Sequence, residues 1–191
     1  MLDVIIERAP NVKTNWKESK NVLGFNWGVR KLLTAVVLSP DGEQNSTPYF
    51  LNTGGFDGNQ ARLRKSIDPL KSKRDVLPED SGKYLAYNHE IQLSWKAYRN
   101  RNKAMLHFAS NWLIIIALVY GCDVIAGEYL ATLKNTGRGR DTKSRWRKWR
   151  NNSTVRPQIT EKLRYKAKLN GINLRFENPR HTSHTWPRCG E

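Results

Sequence analysis

Two residues at the ends of apolar runs carry the chemistry this sequence could perform: Asn26, in VLGFNWG, and Glu128, which closes CDVIAGEY. A strand-end carboxylate such as Glu128 either ligates a hard cation, which demands oxygen donors, or simply faces solvent. Asn26 offers only a neutral carbonyl oxygen, and Asn before a glycine-containing turn is also an ordinary turn residue. A second group lies between Lys134 and Lys168, where Trp146, Trp149 and Tyr165 are interleaved with Arg138, Arg140, Lys143, Arg145, Arg147, Lys148 and Arg150. Aromatic faces among cations suit stacking on bases beside neutralised phosphates, although a charge run is often only a solvated face. A third group, His181, His184 and Cys189, supplies three zinc donors where a structural zinc site takes four. Cys122 sits in an apolar run and reads as a small buried hydrophobe.

The whole chain fits a polyanionic partner. Its 191 residues carry 33 Lys and Arg against 17 Asp and Glu, a formal charge of +16 with a pI near 10.1. Nucleic acid is the commonest partner for such an excess. Residues 129 to 176 hold 14 of the cations against only Asp141 and Glu161, so the charge is a patch. Cys122 and Cys189 are far apart with no CxxC partner, which argues against a disulfide framework and for a reducing, cytoplasmic setting associated with the nucleoid. WLIIIALVYG, from Trp112 to Gly121, is about half the length that spans a bilayer, and no basic-then-apolar leader opens the chain. That run is expected to be a core segment, with no membrane partner.

The elements that must position these residues follow from periodicity. The runs VLGFNWG and LLTAVVL predict antiparallel strands, with Gly28 and the Arg30-Lys31 pair in the turn, and TPYFLNT (47 to 53) predicts a third strand of the meander. A helical pattern runs from about Gly58 to Arg74, and a polar breaker, RDVLPEDSG, follows. A far longer helix is predicted from about 83 to 120, amphipathic at first and apolar all round in its last turns, so that its C-terminal end should be buried. CDVIAGEY predicts a short strand, ITEKLRYKAKLNG an amphipathic helix stopped at Asn170-Gly171, and INLRFEN a last strand. Residues 1 to 20 read as an N-terminal arm or linker, 21 to 180 as one α/β domain whose basic segment covers 134 to 170, and 181 to 191 as a separate short tail.

This order of elements resembles the RNase H-like fold, a mixed sheet flanked by helices. VLGFNWGVRKLLT is similar to the first catalytic motif, roughly G-(I/V/F)-D-x-G-x-(R/K)-x-L-x-T, of the RuvC-like nuclease domain in the TnpB (OrfB-type, transposon-encoded) proteins and the type V CRISPR effectors. IAGEYL (125 to 130) resembles the second motif, and HTSHTWPRCGE (181 to 191) the TSxxCPxCG start of the family's zinc ribbon. The likeness covers about residues 20 to 191.

The resemblance implies a set of expectations. The family's first metal-binding aspartate falls on Asn26 and its glutamate on Glu128; the first zinc cysteine falls on Trp186 and the second on Cys189. Intact relatives are RNA-guided, Mg²⁺-dependent DNA endonucleases tied to DNA recombination or CRISPR loci in prokaryotes, with DNA and a guide RNA as partners and a zinc ion in the ribbon. Their two Mg²⁺ ions are held by three carboxylates, of which only Glu128 is expected here, because two hard cations clamping a phosphodiester need anionic oxygen ligands. The expected protein is therefore a truncated RuvC-like domain, lacking N-terminal and C-terminal parts of the family protein, catalytically inactive, with neither metal bound. The alternatives are a nuclease-dead binding module, such as a guided repressor or split subunit, and a decaying reading frame.

Overall fold

The structure, a computed structural model, describes residues 20–28, 31–128 and 155–177. Alternating apolar residues form β1 (Val22–Trp27) and β2 (Leu33–Leu38), which pair antiparallel from Val22 opposite Leu38 to Trp27 opposite Leu33. The short β3 (Tyr49–Leu51) adds antiparallel to β2. Two helices, α1 (Gly54–Arg74) and α2 (Gly82–Val119), then make an antiparallel hairpin, and Ser81 caps α2 by accepting the Tyr84 N–H at 3.2 Å. The chain returns as β4 (Val124–Glu128), parallel to β1, and after α3 (Val155–Leu169) as β5 (Asn173–Glu177), parallel to β4. The five strands lie in the order β3-β2-β1-β4-β5. This is the mixed α/β sheet expected, with its first three strands antiparallel.

β4 and β5 are entered through the same helix ending. Gly121 and Gly171 adopt φ of 59° and 66°, the left-handed region that glycine reaches without a Cβ penalty. Cys122 N–H then reaches the Ala117 carbonyl at 2.7 Å, and Ile172 N–H the Ala167 carbonyl at 2.9 Å. Each is the long backbond of a glycine-closed helix terminus, and it turns the chain straight into the sheet.

One face of the sheet carries the core. Leu23 and Phe25 of β1, Leu33, Ala35 and Val37 of β2 and Ile125 of β4 pack with Ala109, Leu113 and Ala117 of α2 and Ile159, Leu163 and Ala167 of α3. Among the described residues α2 has a window long and apolar enough to cross a membrane by composition; 44% of that window is buried, with Leu113, Ile114, Ile116 and Ala117 in this core.

Two expectations need correction. The first helix begins at Gly54, four residues before the position read from periodicity. GGFDG has poor intrinsic helix propensity, but the Asp57 N–H closes the first turn on the Thr53 carbonyl at 2.8 Å and Phe56 packs on the core, so that core contact starts the helix early. The end of α2 is also not buried all round. Ile115 is 59% and Val119 74% exposed, because the sheet and α3 cover only part of its circumference.

Gly127 is fixed by its neighbours. It lies in register between Phe25 and Phe176, whose rings meet edge to face at 6.4 Å, and a Cβ at 127 would overlap the Phe25 ring. Gly127→Ala is expected to cost about 1–3 kcal/mol through overpacking, lowering Tm by roughly 2–4 °C per kcal/mol. Combining it with Phe25→Leu should recover part of that loss, as thermal melts of the single and double variants would show.

Candidate functional site

Asn26 and Glu128 come together at one end of the sheet. The parallel register pairs Phe25 with Gly127, so the next residue of each strand, Asn26 and Glu128, stand side by side at the C-terminal ends of β1 and β4, about 4.8 Å apart along the sheet. They share the face opposite the aromatic row, since side chains alternate along a strand. Asn26 is exposed and Glu128 half-buried. The Asn26 Oδ1 accepts the N–H of its neighbour Trp27 at 2.6 Å, a local bond that an amide holds at any physiological pH. On the β2 side the row continues to Thr34, which pairs with Asn26.

The other neighbour, Glu177, is not marked by any sequence motif. β5 pairs with β4 so that Glu177 lies beside Glu128, extending the row to Thr34, Asn26, Glu128 and Glu177. The parallel offset between the two strands could not be read from INLRFEN alone; only the matched helix endings before β4 and β5 hint at it. Arg175, two residues earlier on the same face, pairs with Ala126 and brings a cation behind the two carboxylates.

Among the described residues, this donor set falls short of what two Mg²⁺ ions take. Asn26 presents a neutral oxygen already engaged by a backbone N–H, and among the described residues no three His, Cys, Asp or Glu side chains converge as a metal site. Two hard cations need more anionic oxygen than Glu128 and Glu177 supply. The remaining binding residues read from the sequence, Arg138, Arg140, Lys143, Arg145, Trp146, Arg147, Lys148, Trp149 and Arg150, lie outside the described residues, as do Cys189 and its neighbours His181, His184 and Trp186. The proposed arm and tail fall there too, apart from Lys20.

Two other reactive-looking groups are structural. Lys166 of α3 donates from Nζ to Ser110 Oγ at 2.7 Å and to the His107 carbonyl at 2.9 Å, but Ser110 is fully buried and its hydroxyl bonds back to the Leu106 carbonyl at 2.8 Å. The pair pins α3 to α2 rather than making a nucleophile. Cys122 is buried as expected, and burial first, then the Asp123 charge, pushes its thiol up to about 11.

No protein-family model and no curated protein matches this chain. Solved structures do. A Cas12f1 chain, in a cryo-EM complex with sgRNA and target DNA, superposes over 90% of this chain with a TM-score of 0.61 at 18% identity. A second Cas12f chain, from a CRISPR ternary complex, covers 91% with a TM-score of 0.64 at 16% identity. The fold is that of one part of a Cas12f effector. This chain spans 31% of the length of each Cas12f chain.

The raised Cys122 value has a solution consequence. Because the thiol stays protonated in the fold, its contribution to stability is full below the ordinary value near 9 and is lost as pH rises toward 11. In a Cys189→Ser chain, Cys122 should resist alkylation near pH 8 while the protein is folded and react once denaturant is added, as mass spectrometry would record.

Proposed function

We propose that this chain is a RuvC-like, RNase H-fold domain of the TnpB and type V effector kind that binds nucleic acid without cutting it. The observation that carries this reading is the position of Asn26 beside Glu128 at the ends of adjacent parallel strands. In the resembling family that place holds a carboxylate pair, and here one of the two is an amide. The sheet order β3-β2-β1-β4-β5 and the likeness to Cas12f support the same frame.

Within that frame each group has a role. Asn26 keeps the strand end closed through its bond to Trp27 but holds no cation. The basic segment with Trp146 and Trp149 neutralises phosphates and stacks on bases. The partners proposed are a guide RNA and target DNA, as in the solved Cas12f1 complex. The reading requires neither Mg²⁺ at Asn26 and Glu128 nor zinc at Cys189.

Glu177 favours a second reading, in which a cleaving activity survives on the Glu128–Glu177 pair. One experiment separates the two. The purified chain is incubated with single-stranded and duplex DNA in Mg²⁺, and binding is titrated against salt. Binding without cleavage is expected, with a log–log salt slope steeper than about −2, each phosphate contact adding roughly −0.7 to −0.9. Glu128→Gln should leave that binding unchanged. A Mg²⁺-dependent cut abolished in both Glu128→Gln and Glu177→Gln would establish the second reading instead.

A further inference from the structure

The helical hairpin carries a groove that the strand-end site does not explain. It runs along α2 with a volume of about 430 Å³ and is lined by His89, Gln92, Leu93, Trp95, Lys96 and Arg99. That volume lies within the roughly 300–1,000 Å³ of ligand-holding clefts. His89, Gln92, Lys96 and Arg99 recur at helical spacing, so they form one exposed stripe about 15 Å long at 1.5 Å per residue. Among the described residues, no carboxylate lines it.

The aromatic in this groove is held in place. Trp95 meets Tyr98 edge to face at 5.5 Å, and Lys71 reaches across from α1 with its ammonium 5.5 Å from the Trp95 ring centre. Lys71 therefore sits against the indole, while Lys96, Arg99 and the half-exposed Leu93 line the same groove. A solvated charged face needs no aromatic floor, and a purely apolar partner would not require three cations.

We propose that this groove binds a single-stranded stretch of nucleic acid, with Lys96 and Arg99 on successive phosphates and a base against Trp95 and Leu93. The proposal rests on the nucleic-acid reading above and adds to it a second contact surface, on α1 and α2 rather than in the basic segment. A single strand is favoured over a duplex because only unpaired bases offer free faces to an aromatic floor. RNA and DNA share this chemistry.

The test measures binding of labelled homopolymer single strands, in RNA and DNA form, and of a duplex of equal length. The full-length chain is compared with Lys96→Gln/Arg99→Gln and with Trp95→Leu, each checked by circular dichroism and melting. The double variant changes only exposed side chains and should fold normally. It is expected to bind single strands about ten-fold more weakly, with a salt slope shallower by about 1.4, two contacts at roughly 0.7 each. Trp95→Leu should also lose about ten-fold, with an unchanged slope, because stacking releases no counterions. The stronger binder of the RNA and DNA arms identifies the source.

Unchanged binding by the double variant, in a chain whose wild type binds, overturns the groove and leaves the proposed function standing. Absence of any binding by the wild type overturns both. Equal losses on duplex and single strand overturn the single-strand assignment.

Discussion

The rest of the structure depends on the register of its three parallel strands. Hydrogen bonds in a parallel ladder tolerate only whole-residue steps, and a one-residue slip would turn every side chain to the other face. Two glycine-closed helix endings set the start of β4 and β5, and the Asp123 carbonyl takes the Asn173 N–H at 2.8 Å where the two strands begin. With their starts aligned, their ends align as well. Glu128 and Glu177 meet for that reason, and Asn26 joins them from β1.

The two faces of the sheet at this end are opposites. Phe25, Gly127 and Phe176 close a tight aromatic row beneath the strands, and Trp27 meets Phe25 edge to face at 5.6 Å. Directly across the sheet lie the polar side chains of Asn26, Glu128 and Glu177. The missing Cβ at 127 lets the Phe25 ring fill the space below the site. The backbone that presents Glu128 is thus clamped from behind, with the neutral amide of Asn26 beside it on the polar face.

Much of this was legible in the sequence because it depends on local chemistry. The apolar, β-branched runs VLGFNW and LTAVVL and the glycines at 121 and 171 all act within a few residues, and each element they mark is present. Asn26 and Glu128 could be paired from their motifs. Glu177 could not, because its place follows from the offset between two strands separated by α3. The early start of α1 was hidden for a related reason: Phe56 gains from a core built by distant residues, against the local preference of its glycines. The exposed flank of α2 escaped because hydropathy counts apolar residues without showing how much surface is available to cover them.

The length of α2 has a dynamic consequence. At 38 residues it is about 57 Å long, whereas five strands at about 4.8 Å spacing make a sheet only about 19 Å wide. Between Gly82 and Met105 its one fully buried apolar residue is Ile91, and this overhang is braced mainly by α1. Their interface is partly polar: Gln60, 1% exposed, donates to the Tyr98 carbonyl at 3.1 Å and to Asn102 Oδ1 at 2.6 Å, while its own Oε1 has no partner among the described residues. Regions with few buried apolar contacts open at lower free energy than the core that anchors them. The overhanging part of the hairpin, α1 with the N-terminal half of α2, is therefore expected to open ahead of the core, its amides exchanging with solvent before those in β1 and β4 while the strand ends keep their register.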